Sequence, residues 1–146
     1  MEKVLLKIKV LPGGMPPRRM SSGAVGYDIF ARLEEAIILK PGERRKVPAG
    51  FAIEVPDGFE AQIRPRSGLA IKYGLTMLNS PGTIDPDYRG EVQVILANLG
   101  EQDIIIENGD RIAQMIIAPV ADARLEIAEN LSPTSRGEKG FGSTGV

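Results

Sequence analysis

The sequence predicts an all-β domain, a sandwich or jelly-roll-like barrel of short strands. Three observations carry that expectation. The 146 residues include 17 Gly and 11 Pro, well above the roughly 12% the two average together, and no low-complexity tract accounts for them. Apolar residues recur in short runs, several alternating with polar ones at the period of a strand with one buried face. Helical periodicity is nearly absent. Punctuation of this density suits many short strands rather than long helices.

Taken in order, residues 3–10 (KVLLKIKV) end in strict alternation, Ile8 and Val10 against Lys7 and Lys9. That suits a half-buried strand. Residues 11–23 are loop-like, with Gly13-Gly14 and Pro16-Pro17. Ala36 to Leu39 form a short apolar strand ended by the turn pair Pro41-Gly42. Lys46 to Val55 read as a strand interrupted at Pro48. Asp57-Gly58, between IEVP and FEAQI, is the best two-residue hairpin signal in the chain. A turn or two of helix is expected near Ser67–Tyr73, with Ser67 able to cap its N-terminus. Strands follow at 91–98 (EVQVILAN), 103–106 (DIII) and 111–120 (RIAQMIIAPV), and a last one is expected at 123–128. From about 130 the character changes: NLSPTSRGEKGFGSTGV holds four Gly, and Phe141 is its only aromatic side chain. Such a stretch cannot bury enough to order itself, so residues 1–129 are expected to form the barrel and 130–146 a mobile C-terminal arm. Arg136, Lys139 and Phe141 give this arm charge and stacking that a passive tail does not need.

Composition narrows the function. The net charge is −1, which argues against binding nucleic acid by bulk electrostatics, so any phosphate recognition is local. No apolar run is long enough to span a membrane and no secretory signal opens the chain, which makes the cytoplasm the expected location. There is no Cys and no His. Disulfides, thiolate nucleophiles, Cys-based zinc sites and Ser-His or Cys-His chemistry are therefore excluded. Proton transfer at neutral pH falls to a carboxylate, Lys or Tyr.

Five segments combine small residues with Arg, Asp and hydroxyls where a plain β-protein needs only turns. AVGYDIFA (24–31) sets Asp28 among apolar neighbours, which also fits the start of a strand with a satisfied acid. RPRSGLA (64–70) offers the fork of Arg66 and, at Ser67 and Gly68, backbone amides that an anion can approach. LNSPGTIDPDYRGEV (78–92) joins the Pro81-Gly82 turn to Asp85, Asp87, Tyr88 and Arg89. On its own it also fits a polar hairpin with surface acids. NGDRIAQM (108–115) places Asp110, Arg111 and Gln114 at the start of an apolar strand, where a buried Asp–Arg pair is the plainer reading. RGEKGFGSTG (136–145) has the amide-rich logic of a phosphate loop but lacks the Walker pattern and its helix.

In this order the five segments resemble the five motifs of the trimeric dUTP diphosphatase (dUTPase) family, over nearly the whole chain from Ser21 onward. GTIDPDYRGEV and the terminal GFGSTG are the most specific, and PRSGLA supports them. The resemblance implies a jelly-roll-like β-barrel of the β-clip type, assembled as a homotrimer with active sites shared between subunits. It implies hydrolysis of dUTP to dUMP and pyrophosphate, which supplies the dTMP precursor and keeps uracil out of DNA. By similarity, Asp85 orients and deprotonates the water that attacks the α-phosphorus. Tyr88 stacks on the deoxyribose and excludes a 2′-hydroxyl. The segment Asn79–Ile84, with Gly82 and Thr83, reads uracil mainly through its backbone. Arg66, Ser67, Gly68 and Gln114 cradle the α- and β-phosphates, while Arg136 reaches the γ-phosphate. Phe141 stacks on uracil, and Gly142, Ser143 and Thr144 complete an arm that closes as a lid.

The cofactor implied is Mg²⁺, held by the triphosphate and waters with no direct protein ligand, Asp28 supporting the surrounding water and Arg network. Lys139 stands where the family usually has Gly. If that position needs positive φ, Lys strains the closed arm; if not, it adds a phosphate contact. Two other readings remain to be separated: a zinc-independent dCTP deaminase-like enzyme of the same barrel fold, and a non-catalytic nucleotide-binding β-trimer.

Overall fold

The computed structural model describes residues 2–145; Met1 and Val146, the outer ends of the two expected segments, lie outside them. Among the described residues the elements run β1 (Lys7–Val10), β2 (Tyr27–Phe30), β3 (Ile37–Leu39), β4 (Arg44–Pro48), β5 (Phe51–Glu54) and β6 (Phe59–Arg64). After them come α1 (Ser67–Tyr73), β7 (Leu75–Met77), β8 (Gly82–Ile84), β9 (Gln93–Asn98), β10 (Ile104–Ile106) and β11 (Arg111–Pro119). The strands form four antiparallel ladders: β2-β11-β6-β8, β4-β9-β7, β1-β5 and β10-β3. The all-β expectation holds, and the arrangement is jelly-roll-like. Among the described residues the ladders do not join into one continuous ring.

Alternation decides which side of each strand faces inward. In β9, Val94 and Leu96 are buried while Gln93 is exposed; in β4 only Val47 is buried and Arg44, Arg45 and Lys46 face out. Phe51 and Ile53 of β5, Ile29 of β2, Ile63 of β6, and Ile112 and Met115 of β11 complete one core. Removing a side chain such as Phe51 from this core costs about 3–5 kcal/mol. Among the described residues Asn98 is the one polar residue buried with them. Its Nδ2 donates to the carbonyls of Leu39 and Gln102 at 2.9 and 2.8 Å, and its Oδ1 accepts from the Gly100 amide at 2.9 Å. It thereby ties the end of β3 to the loop that follows β9.

Several sequence expectations are corrected. The run Lys46–Val55 is two strands in different ladders, because the chain turns a corner at Ala49-Gly50. Gly50 has φ 76° and packs against Gly14 with no room for a Cβ at either residue. Asp57-Gly58 is a turn but not a hairpin: β5 pairs with β1, whereas β6 pairs with β11 and β8. The segment 123–128 is not a strand; residues 119–139 are all exposed. Only Lys7–Val10 of the first run is paired. The helix is present, yet Ser67 lies inside it. Arg66 occupies the N-cap position without a side-chain capping bond.

Candidate active site

The first, second and fourth segments converge on one sheet. Across β2, β11 and β6 the register sets Asp28 opposite Gln114 and Gln114 opposite Arg64. Directly opposed residues share a face, so this row stands on the side away from the core. Gln114 packs over Gly26 and donates through Nε2 to the Pro65 carbonyl at 3.1 Å. Asp28, whose side chain is 14% exposed, faces Arg111 at 3.1 Å and Arg66 at 3.8 Å. Arg66 also donates to the Arg111 carbonyl at 3.3 Å.

One carboxylate thus holds two guanidiniums, which leaves a net positive charge beside the start of α1. There the Ser67 and Gly68 amides belong to the first turn, whose N–H groups have no intrahelical acceptor, and both residues are exposed. Arg66 and Arg111 also line a groove of about 520 Å³ with Leu69, Tyr73 and Ile104. The sequence pointed to Arg111 only as half of an Asp110–Arg111 pair. Instead Asp110 accepts from the Glu107 amide at 2.8 Å, and Arg111 belongs to Asp28.

The third segment forms a separate unit. Ser80-Pro81 is a cis peptide, the Ser80 hydroxyl donates to the Met77 carbonyl at 2.7 Å, and the Asn79 amide lies beside Gly82. Gly82, Thr83 and Ile84 pair with Ile63, Gln62 and Ala61 of β6. Asp85 follows β8 and is exposed; its carbonyl accepts from the Tyr88 amide at 3.2 Å, closing a tight turn. Tyr88 folds back and its hydroxyl donates to the Glu91 carbonyl at 2.9 Å. Arg89 donates to the Pro86 carbonyl and, at 3.1 Å, to Glu54 of β5.

The fifth segment stands apart from both. Arg136 donates through Nε to the Lys139 carbonyl at 2.7 Å, the Gly137 amide donates to Thr134, and the Ser143 amide to Gly140. Phe141 is 112% exposed and, at φ 52°, is the residue other than Gly with positive φ among those described. Gly142 and Thr144 lie in the same turn-rich stretch. Lys139 does not adopt positive φ in this conformation, so it carries no such strain here.

The strand register keeps these units apart. Ile84 lies opposite Ala61, so Asp85 falls at the start of β6, while Arg66 lies beyond its far end. At about 3.3 Å of rise per residue the two are separated by roughly 20 Å along the sheet.

A family model described as dUTPase matches residues 14–145. The deoxyuridine 5′-triphosphate nucleotidohydrolase of Rhizobium leguminosarum bv. trifolii is 57% identical over 132 residues, covering 89% of this chain and 85% of that protein. A mutant dUTPase of Staphylococcus bacteriophage 80alpha, solved with dUpNHpp, superposes with a TM-score of 0.88 at 29% identity, over 99% of this chain and 100% of that one. A mutant dUTPase from phage phi11 of S. aureus, described with the coordination of a structural Mg(II) ion, shares the fold at a TM-score of 0.79 and 23% identity, over 87% and 98% of the two chains. With five motifs in order, a match across nearly all the sequence and a common jelly-roll-like fold, the chain belongs to the dUTPase family.

Proposed function

We propose that the protein hydrolyses dUTP to dUMP and pyrophosphate, by attack of water on the α-phosphorus. The family match over residues 14–145 carries this reading, and the geometry supplies its parts. Arg66 and Arg111, held by Asp28, form a cationic face beside the Ser67 and Gly68 amides, and Gln114 adds a fixed amide in the same sheet. These groups cradle the α- and β-phosphates. Asp85 stands exposed at the end of β8 and takes the proton of the attacking water. Tyr88 packs against the sugar, and the backbone of 79–84 together with the Asn79 side chain reads the uracil. The arm, 130–146, closes over the nucleotide, bringing Arg136 to the γ-phosphate, Phe141 to the base, and Gly142, Ser143 and Thr144 to the phosphates.

Mg²⁺ fits this site as an ion carried by the substrate. Among the described residues no group of three or more acidic side chains could hold a metal, and Asp28 is taken up by two guanidiniums, leaving it to act through bound water. When bound, the ion neutralises charge on the triphosphate.

The working form is a homotrimer in the cytoplasm. Two observations support shared sites: the separation of Asp85 from Arg66 within one chain, and the exposed Leu125, Ile127 and Leu131 of the C-terminal stretch, which need a partner to cover them. The test is product analysis with dUTP and Mg²⁺. Pyrophosphate and dUMP are expected. Ammonia from dCTP would mean a deaminase of the same fold, and binding without turnover a non-catalytic trimer.

A further inference from the structure

Tyr88 is held by contacts that none of the five motif roles explains. Its hydroxyl donates to the main-chain carbonyl of Glu91 at 2.9 Å. To reach it, the ring lies directly over Gly90: a Cβ there would come within 2.6 Å of Tyr88 Cζ and 3.0 Å of Cε1. Gly90 has no left-handed φ and a Cβ there meets nothing but this ring within 4 Å among its nearest neighbours. The glycine is therefore required by the ring and not by the backbone.

Glu91 is pinned in turn. Its carboxylate accepts from Arg32 Nε and Nη2, both at 3.0 Å, and from the Gly50 amide at 2.9 Å. Arg32 lies across Gly50, and its own amide donates to the Pro48 carbonyl at 2.8 Å. The hydrogen bond and charge of Glu91 raise the Arg32 guanidinium above its ordinary pKa. Val92 closes the corner, donating to Phe51 and accepting from Ala49.

We propose that Gly90, Glu91 and Arg32 are positioning residues for sugar selectivity: Gly90 gives the Tyr88 ring its seat, and the Arg32–Glu91 clamp fixes the carbonyl that holds its hydroxyl. This rests on the reading of Tyr88 as the wall against a ribose. A two-point guanidinium–carboxylate clamp fixes direction as well as distance, and a wall excludes one added hydroxyl only if it cannot retreat.

The experiment measures kcat/KM for dUTP and UTP in wild type, Tyr88→Ala, Tyr88→Phe, Gly90→Ala, Glu91→Gln, Arg32→Met and Arg32→Lys, with Tm for each. Gly90→Ala is expected to keep its Tm and to lower the dUTP-to-UTP ratio about tenfold, chiefly by raising activity on UTP. Arg32→Met and Glu91→Gln lower the ratio in the same direction, and Arg32→Lys, which keeps the charge but not the fork, falls between. Tyr88→Phe, which leaves Gly90 and the clamp intact, tests the hydroxyl even if another variant fails to fold. A ratio within twofold of wild type in Gly90→Ala, Glu91→Gln and Tyr88→Phe, with a lowered ratio in Tyr88→Ala, would overturn the positioning role and leave the wall in place. An unchanged ratio in Tyr88→Ala itself would overturn the wall, and the positioning role with it.

Discussion

Asp85 stands at the end of β8, where Ile84 is buried and paired and the Asp85 carbonyl closes a turn onto Tyr88, so its backbone is fixed while its carboxylate faces outward. A chain without His or Cys has few other groups to take a proton from water. Asp85→Asn is therefore expected to keep dUTP affinity and lower kcat by about 10²–10⁴; turnover within a few-fold of wild type would move the base elsewhere, with Asp28 the next candidate. Asn98 makes a different kind of prediction. Asn98→Ala takes a partner from the buried Leu39 carbonyl, the Gln102 carbonyl and the Gly100 amide, and is expected to cost about 2–4 kcal/mol in denaturant unfolding without touching selectivity. Asp85 was legible in the sequence because its neighbours form a specific string. Asn98, Glu91 and Arg32 were not, because what distinguishes them is partners distant along the chain: Glu91 lies 59 positions from Arg32 and 41 from Gly50, and Asn98 lies 59 from Leu39, and one sequence does not display such pairs.

Strand existence was readable from alternation, whereas strand pairing was not. The run 46–55 keeps its apolar pattern through the corner at Gly50, so one strand was expected where two ladders meet. Asp57-Gly58 marks a bend correctly, but a turn signal says where the chain reverses and not which strand receives it. The expected strand at 123–128 has alternating apolar residues and no partner in its own chain; Leu125 and Ile127 stand in solvent. The arm beyond it makes its own short turns and adds nothing to the core. Deleting 136–146 should accordingly leave Tm nearly unchanged while kcat/KM for dUTP falls sharply, because the lid closure and γ-phosphate contact proposed for the arm are both lost. Phe141→Ala should do part of that damage, roughly 1–3 kcal/mol in kcat/KM if its ring stacks on the base. Normal kinetics in the truncated protein would make the segment a passive tail.

At the scale of the molecule, the separation of the proposed cradle from the hairpin bears on how many chains one site needs. Asp28, Arg66, Arg111 and Gln114 meet near the β6–α1 junction, while Asp85 falls at the opposite end of β6, with Tyr88 in the turn that follows it. Roughly 20 Å of strand lies between them, so under the roles proposed for Asp85 and Arg66 a water at the one does not reach a phosphate at the other within the same chain. A symmetric oligomer resolves this, since a rotation axis can bring the hairpin of one copy to the cradle of the next. Two inactive variants then become a direct test. Asp85→Asn spoils only the hairpin, and Arg66→Met only the cradle. Each alone should have little activity on dUTP. Unfolded together in equal amounts and refolded, each site draws its hairpin and its cradle independently. Both are native with probability one half times one half, so about a quarter of wild-type activity should return. If every site were built within one chain, the mixture would show no more than the mean of its parents. A recovery near one quarter, varying with the mixing ratio as the product of the two fractions, would establish that hairpin and cradle come from different subunits.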